Sequence, residues 1–167
     1  MHFRIAHEFE IPRDALELAY LSPDLVEKLS PRLGPIACEQ KKHELKNGTL
    51  RRVWFYKAAV KVPKLAKDYL TPEKLSWDEV SSYDLKKHSA RWKIIPNFRP
   101  EWRKYFSATG SSKIEKLGEY ESRLVSEGEI ELRVPVVKKV AEAMILAEVR
   151  KVFEAEAETL GALATLE

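Results

Sequence analysis

The C-terminal segment constrains the fold of this chain more than any other stretch. From Pro135 to about Leu163 the sequence contains no further proline and no glycine before Gly161. Ala, Leu, Glu, Lys and Arg dominate the segment, and these residues lose least on entering a helix. Pro135 suits the first helical position, where its missing N–H would have no partner anyway. The segment therefore predicts one helix of about 40 Å, long enough to cross a small domain.

The apolar residues of this helix fall on two faces instead of one. With about 100° between successive residues, the first stripe comprises Val136, Val137, Val140, Ala143, Met144 and Ala147. The second stripe comprises Val149, Val152, Phe153, Leu160 and Leu163. Either protein covers the helix on two sides, or the first stripe seals an apolar interior and Glu148 and Lys151 point into a polar part of it. In a third hypothesis, the second stripe packs against a partner or a second copy. With the first stripe as the covered face, Met144→Asp should lower stability more than Phe153→Asp.

The composition describes an ordinary globular domain. At 167 residues, 44% hydrophobic and 33% charged, the chain is expected to form one domain, residues 1–167, that is large enough to enclose a cavity. The net charge is only +3, and no run of Lys or Arg exceeds a pair, so nucleic acid is not expected as a partner. Cys38 is the only cysteine, which excludes an internal disulfide and fits a cytoplasmic protein. The alternating N-terminus predicts neither a signal peptide nor a membrane anchor.

The first third of the chain predicts a strand followed by two short helices. Apolar and polar residues alternate over 2–11, which indicates a strand with one buried face. Pro12 ends this strand and begins a helix that runs to Leu21. Ser22 and Pro23 are typical of the cap and first position of a second helix, which Pro31 ends.

A run of strands follows. Asn47-Gly48 is the strongest short indication of a hairpin, here between strands 36–46 and 49–60, because a type I′ turn needs positive φ at both central residues. Residues 63–70 predict a short helical turn. Four further strands are predicted over 74–83, 87–95, 101–116 and 119–133. We expect bulges at the glycines of 110–112 and 127–128.

This order of elements resembles the START-like, or SRPBCC, helix-grip superfamily, and in particular an uncharacterised bacterial branch of it. The resemblance covers essentially the whole chain and rests on the opening strand and helix pair, on the Asn47-Gly48 hairpin, and on the terminal helix after GEIELRVP. It implies an α+β helix-grip fold: a curved, seven-stranded antiparallel sheet around a long C-terminal helix, with two short helices after strand 1. Such a sheet leaves a concavity that side chains or a ligand must fill.

Strand alternation indicates which side chains face that concavity. All four tryptophans fall in the inward set, and aromatic side chains with polar tips are suited to a partly wet pocket. The residues expected to contact a ligand are His7, Trp54, Tyr56, Trp77, Tyr83, His88, Trp92, Trp102, Phe106, Tyr120 and Met144. The alternative interpretation is that the aromatic residues simply fill a core.

Three ionisable residues in the same phase, His7, Glu79 and His88, are candidates for acid–base chemistry. No catalytic role is assigned to them, because an inward histidine is more often a hydrogen-bonded part of the structure. The histidines have no paired spacing, so no metal site is expected, and no cofactor motif is present. Nothing in the sequence lowers the pKa of Cys38, so it is expected to be buried and unreactive.

The functional prediction is a non-enzymatic, cytoplasmic protein that binds a hydrophobic small molecule or lipid between the sheet and the terminal helix. The alternative is an enzyme of the polyketide cyclase or dehydratase type that uses the same cavity. Residues 61–72 alternate lysines with Leu65, Tyr69 and Leu70, so they could form a lid that touches a membrane surface transiently. The protein is expected to be a monomer or a homodimer.

Overall fold

The computed structural model of the protein describes residues 1–58, 76–97, 100–133 and 138–165. Within these ranges the strands are β1 (His2–Phe9), β2 (Ile36–Lys46), β3 (Thr49–Ala58), β4 (Ser76–Asp84), β5 (Ser89–Pro96), β6 (Phe106–Gly118) and β7 (Glu121–Leu132). The α-helices are α1 (Arg13–Leu21), α2 (Leu25–Leu29) and α3 (Lys138–Ala164). Short 3₁₀ turns occupy Ser30–Arg32 and Pro100–Tyr105. The predicted order of strand, two helices, six strands and long helix is confirmed.

The strands form one antiparallel sheet of seven, in the order β1-β7-β6-β5-β4-β3-β2. Each strand after β2 pairs with the one before it, and β1 returns to pair with β7, so that β1 and β2 form the two edges. Asn47 and Gly48 connect β2 to β3 with φ values of 53° and 75°, as a type I′ turn requires. The sheet predicted from the sequence is therefore confirmed, and so is its main hairpin.

Two glycines in the sheet make room for a tryptophan. Gly110 on β6 pairs with Gly128 on β7, and the Trp92 ring lies against both. A Cβ added to Gly110 would lie 2.3 Å from Trp92 Cζ2, and one added to Gly128 would lie 2.7 Å from Cη2. The expectation of bulges at these glycines is wrong, because the strand register is regular there and the glycines serve a close side-chain approach instead. The register shifts that the described strands do contain lie between Gln40 and Lys42 and between Lys116 and Gly118.

The predicted strand limits differ from the structure mainly at the N-terminal ends. The predicted strand 101–116 is wrong over its first residues, because Pro100 opens a 3₁₀ turn and β6 begins only at Phe106. A proline at the start of a helical turn loses no hydrogen bond, whereas in a strand it removes one from the ladder. β5 and β7 each begin two residues later than predicted, at Ser89 and Glu121. The helical turn predicted over 63–70 lies outside the described residues.

The terminal helix packs through its second apolar stripe. Leu160 is fully buried in the larger hydrophobic cluster, where Val152 and Leu163 also pack. Val149 and Phe153 pack against the smaller cluster, which contains Phe3 and Trp92.

The expectation that the first stripe is the covered face is therefore wrong. Val136, Val137 and the side chain of Val140 lie outside the described part of the structure. Of the other residues in the first stripe, Ala143 and Ala147 are exposed, and Met144 is half-buried and belongs to neither cluster. The helix buries its second stripe because Phe153 and Leu160 remove far more apolar area from water than Ala143 and Ala147 would. The second stripe is also not free for a partner, because the chain's own core covers that face. Lys151 is exposed and forms an ion pair of 3.1 Å with Glu148, so it does not point into an interior.

Candidate functional site

Polar side chains from β3, β4 and α3 meet on the inner face of the sheet, the face that α3 covers. On β3, Arg52, Trp54 and Tyr56 point to the same side, and their register partners on β4 are Ser81, Glu79 and Trp77. Directly paired residues of antiparallel strands place their side chains next to each other on one face. Glu156 reaches the same region from α3 and is 7% exposed. We call Arg52, Trp54, Tyr56, Glu79 and Glu156 the interior polar cluster.

Arg52 is the fixed cation of this cluster. Its side chain is buried, and its Nη1 donates a hydrogen bond of 2.6 Å to the carbonyl oxygen of Tyr20 on α1. The guanidinium carbon lies 4.4 Å from the centre of the Tyr20 ring and 4.3 Å from the Trp54 ring. Arg52 is therefore held between two aromatic faces by cation–π contacts, which favour a planar, weakly hydrated guanidinium over a lysine.

The two carboxyl groups of the cluster are held without a direct ion pair to that cation. Among the described residues, neither Glu79 nor Glu156 forms a salt bridge with Arg52, whose hydrogen bond goes to the Tyr20 backbone. Burial raises the pKa of Glu156 from its ordinary 4.5 to about 7; the nearby Glu79 raises it further, and Arg52 opposes the rise. Burial also raises the pKa of Glu79, against the opposing effects of Arg52 and Tyr56. Both groups therefore favour the protonated form more than an exposed glutamate does.

Two further members of the cluster present buried polar atoms without a hydrogen-bond partner. Trp54 is 2% exposed and Tyr56 is 1% exposed, yet Trp54 Nε1 and the Tyr56 hydroxyl make no hydrogen bond of good geometry among the described residues. The Tyr56 hydroxyl lies near enough to the Glu79 carboxyl and the Cys38 thiol to affect the pKa of both groups, although neither contact has the geometry of a well-formed hydrogen bond. A buried donor without an acceptor costs about 1–3 kcal/mol, so native proteins rarely leave two beside each other. A bound molecule with a suitable polar group would satisfy them.

Aromatic rings border the cluster toward one end of the sheet. Tyr56 stacks on Trp77 with 5.4 Å between ring centroids, and Trp54 meets Tyr56 edge-on at 6.5 Å. Trp77 is only partly buried, as is Glu79, although both lie on the inner face. The site therefore combines a flat apolar wall with one cation, two weakly acidic carboxyls and two unpartnered donors.

A second polar arrangement ties α1 to the turn between β4 and β5. Glu17 Oε2 accepts hydrogen bonds from the Tyr83 hydroxyl and from His88 Nδ1, each 2.5 Å long. His88 has a φ of 52°, an uncommon conformation for a residue with a side chain. Since His88 is engaged by a carboxylate from α1, the arrangement fastens the helix pair to the sheet. The candidate roles of His88 and Tyr83 in ligand binding stay predictions.

The structure distributes the other predicted site residues unevenly. His7 is half-buried on the inner face of β1, on the same side as Phe3 and Ile5. Trp92 lies in the smaller hydrophobic cluster, against which Phe106 packs. Its register partner on β4 is Ser81, the partner of Arg52, whereas Tyr56 pairs with Trp77. Tyr120 is 68% exposed in the turn between β6 and β7, so the expectation that it faces inward is wrong: the strand phase does not continue through the turn. The side chain of Trp102 lies outside the described part of the structure, as do residues 61–72 and Leu75.

Arg52 and Glu156 were missed when the residues were considered one by one. Arg52 lies in phase with Trp54 and Tyr56, so alternation alone places it inside, but the adjacent Arg51 makes the pair look like an exposed charged run. Glu156 lies in the sequence AEAET, whose small residues give no apolar pattern that would identify the buried face of the helix. For Arg52 the available indication was its spacing of two residues from the inward Trp54 and of four from Tyr56.

Other features of the described residues add no chemistry to the cluster. Burial raises the pKa of the Cys38 thiol to about 12, so it is a poor nucleophile. No group of three or more His, Cys, Asp and Glu side chains in the described ranges is arranged to hold a metal ion. No helix in that part of the chain is long and apolar enough to cross a membrane. A separate surface groove of about 250 Å³ opens beside α3, lined by Arg32, Leu33, Gly34, Ile36, Lys151, Glu154, Ala155 and Glu158.

The architecture defines the class of protein: a START-like helix-grip domain, the fold shared by several solved structures. TTHA0849 from Thermus thermophilus is 18% identical, with a TM-score of 0.63 over 99% of this chain and 98% of its own. The Zhui aromatase/cyclase from Streptomyces sp. R1128 is 13% identical, with a TM-score of 0.64 over 99% and 93%. A point mutant of norcoclaurine synthase from Thalictrum flavum, in complex with a transition state analogue, is 12% identical, with a TM-score of 0.63 over 96% and 93%. At these identities the likeness establishes the fold.

The chain belongs to the family described as "Protein of unknown function (DUF2505)", whose model matches residues 4–162. None of the curated proteins matches its sequence. The predicted helix-grip fold and the predicted membership of an uncharacterised family are therefore confirmed.

Proposed function

We propose that this protein binds a hydrophobic small molecule or lipid between the inner face of the sheet and α3, with the polar end of the molecule at the interior polar cluster. The observation that carries the proposal is the pair of buried donors, Trp54 Nε1 and the Tyr56 hydroxyl, which make no well-formed hydrogen bond among the described residues. They lie beside an arginine that forms no ion pair with either carboxyl in that part of the chain. Apolar walls with a few convergent polar groups are typical of small-molecule sites.

Core packing alone explains this arrangement poorly. A core that only had to be stable would gain by replacing Arg52, Glu79 and Glu156 with apolar side chains of similar volume, since buried charges cost more in lost hydration than they recover. The fold adds support of a general kind, because a cyclase and a synthase share it.

The proposal is tested by mass spectrometry of the protein under native conditions, after purification without detergent. We expect a species heavier than the chain by one small molecule, which organic extraction removes. Titration of the emptied protein with fatty acids and with polycyclic aromatic compounds should then change tryptophan fluorescence, because Trp54 and Trp77 border the site. A bare mass together with unchanged fluorescence for both classes of compound would contradict the proposal.

An enzyme of the polyketide cyclase type is the second candidate, and the pair Glu79 and Glu156 favours it. A carboxyl with a pKa near 7 can both give and take a proton at neutral pH, and Glu156 has a pKa of about 7. The same site would then orient a substrate carbonyl toward the Tyr56 hydroxyl. Turnover of a poly-β-ketone analogue that Glu156→Gln abolishes, with the fold intact, would select this function over simple binding.

A further inference from the structure

We infer that the ligand of this site is an amphipathic carboxylic acid that binds as its anion, with its carboxylate paired to Arg52 at the interior polar cluster. This inference rests on the proposed function and adds the chemical class of the ligand to it. It follows from a buried cation that has no ion-pair partner among the described residues, and from the hydrogen-bond donors around that cation.

Arg52 keeps its positive charge in a place where the nearby acids tend to lose their negative charge. A guanidinium group in a protein stays protonated, so Arg52 cannot become neutral. Its side chain is 3% exposed, and in the described ranges its hydrogen bond goes to a backbone carbonyl and not to a carboxylate. Burial raises the pKa of both Glu79 and Glu156, so each acid can give up its charge by binding a proton. A buried cation is costly without an anion beside it, and a ligand carboxylate would supply that anion.

The donors around Arg52 suit the oxygens of a carboxylate. The centre of the Trp54 ring lies 4.3 Å from the guanidinium carbon, so Nε1 of that ring lies in the same stack, and it has no hydrogen-bond partner in the described part of the chain. An indole N–H and a guanidinium group donate hydrogen bonds and accept none, whereas a carboxylate only accepts. The two oxygens of a carboxylate fit two donors at once. One oxygen would accept from Arg52 and the other from Trp54 Nε1, with the Tyr56 hydroxyl as a further donor.

The ionisable groups that face one another in this region come from α1, α3 and three strands. They are Tyr20 on α1, Cys38 and His43 on β2, Arg52 and Tyr56 on β3, Glu79 on β4 and Glu156 on α3. Burial raises the pKa of the tyrosines and of the thiol and lowers that of the histidine, so these four groups are neutral near pH 7. The charge of the cluster therefore changes through its two acids, and Glu156, with a pKa of about 7, loses its charge as the pH falls through neutrality. An anion should bind more tightly as it does so, as long as the ligand itself stays ionised.

The experiment compares three end groups on the same apolar body, which is either a naphthalene ring or a dodecyl chain. Equilibrium dialysis at about pH 6.5, where a carboxylic acid is ionised, measures the affinity of the emptied wild-type protein for the carboxylate, the carboxamide and the ammonium form of each body. The carboxamide is the matched control, because it has nearly the shape of the carboxylate and no charge. We expect the carboxylate to bind about tenfold or more tightly than the carboxamide, because charge-assisted hydrogen bonds are the stronger ones. The ammonium form should bind most weakly, since it would approach Arg52.

Two neighbouring arginines allow a matched pair of variants. Arg52→Gln removes the buried cation and should abolish the advantage of the carboxylate over the carboxamide. Arg51→Gln is the control, because Arg51 is exposed and points to the other face of β3, so the advantage should stay as it is in the wild type. Circular dichroism confirms that each variant is folded before dialysis.

Two tryptophan variants make the same test with Arg52 in place, and they decide the matter if Arg52→Gln does not fold. Trp54→Phe removes the Nε1 donor and keeps an aromatic ring, so it should weaken carboxylate binding about fivefold. Trp92→Phe removes another buried Nε1 that has no partner among the described residues, but from the smaller hydrophobic cluster. It should leave the affinity for the carboxylate unchanged.

Raising the pH from about 6.5 to about 8 tests the contribution of the acids. The affinity for the carboxylate should fall about fivefold, because Glu156 gains a negative charge near it, while the affinity for the carboxamide stays constant. Glu156→Gln should reduce this fall, and Glu158→Gln, which changes an exposed residue of the same helix, should keep it.

Each outcome decides one of the two claims. A carboxamide or an ammonium that binds as tightly as the carboxylate on the same body would overturn the inference and leave the proposed function standing. The inference would also fall if the carboxylate kept its advantage in Arg52→Gln, if Trp92→Phe weakened it as much as Trp54→Phe, or if its affinity did not change with pH. Failure of both bodies to bind with any end group would overturn the proposed function and the inference together.

Discussion

At the scale of single residues, Glu156 makes the clearest prediction because its pKa is raised in the folded chain. The unfolded chain ionises this carboxyl near 4.5 and the folded chain near 7, so the folded state binds the proton more tightly in between. Stability from this group is therefore fully present below about pH 4.5 and is lost as the pH rises to 7. The loss amounts to about 3 kcal/mol, at about 1.4 kcal/mol per pH unit. Glu156→Gln should remove this loss. Between pH 5 and pH 8, the free energy of unfolding in urea should therefore rise for the variant relative to the wild type.

Glu158→Gln is the matched control for that measurement. Glu158 lies on the same helix, two residues away, and is exposed, so its replacement should leave the pH dependence of unfolding as it is in the wild type. Glu79 and Arg52 face Glu156 and remain in both variants, so the comparison isolates one carboxyl. A wild-type pH dependence in Glu156→Gln would mean that this carboxyl is hydrated in the folded protein.

At the scale of elements, the orientation of α3 determines which substitutions the fold tolerates. Phe153 lies 6.1 Å from the Phe3 ring and 6.3 Å from the Trp92 ring, between centroids, so an aspartate there would place a charge among aromatic side chains. We expect Phe153→Asp to cost about 3–5 kcal/mol, and Met144→Asp clearly less, since Met144 packs in neither cluster. Urea midpoints of both variants test the ranking. Phe153→Leu, which keeps an apolar side chain, should cost less than Phe153→Asp. If Met144→Asp lowered stability more than Phe153→Asp, the first stripe would be the buried face of α3 after all.

The elements themselves were predictable because local chemistry specifies them. Asn47-Gly48 can hardly connect anything but two antiparallel strands, and Pro12 and Pro23 each open a helix within a residue or two of its observed start. The rotation of α3 was not predictable from spacing, because the helix carries two apolar stripes and spacing ignores how much area each residue buries. The start of β6 was missed for a related reason, since the 3₁₀ turn at Pro100–Tyr105 has too few residues to show a period.

At the scale of the whole molecule, the sheet and α3 bring together residues that lie more than a hundred positions apart in the sequence. Arg52 and Glu156 come within electrostatic range of each other only because α3 folds back against the sheet that carries Arg52. No local pattern contains that juxtaposition, so the sequence could suggest Trp54, Tyr56 and Glu79 but not the cluster they complete. The inward residues of each strand were predictable, but the meeting of Arg52 with two carboxyl groups was not.

A molecule held between sheet and helix should stabilise the entire fold, because it touches both layers at once. At one hundred times its dissociation constant, a ligand that binds only the folded state adds about 2.7 kcal/mol, which raises the Tm of a domain of this size by about 5–10 °C. We expect the molecule that organic extraction removes, when it is added back to the emptied protein, to produce this rise in differential scanning calorimetry. At the same free concentration, Trp54→Phe should show a rise about 2–4 °C smaller, because the hydrogen bond that Trp54 Nε1 would donate to the molecule contributes about 1 kcal/mol. If unfolding occurred in two transitions and the ligand raised the Tm of only one of them, the molecule would bind one layer alone, outside the interior polar cluster.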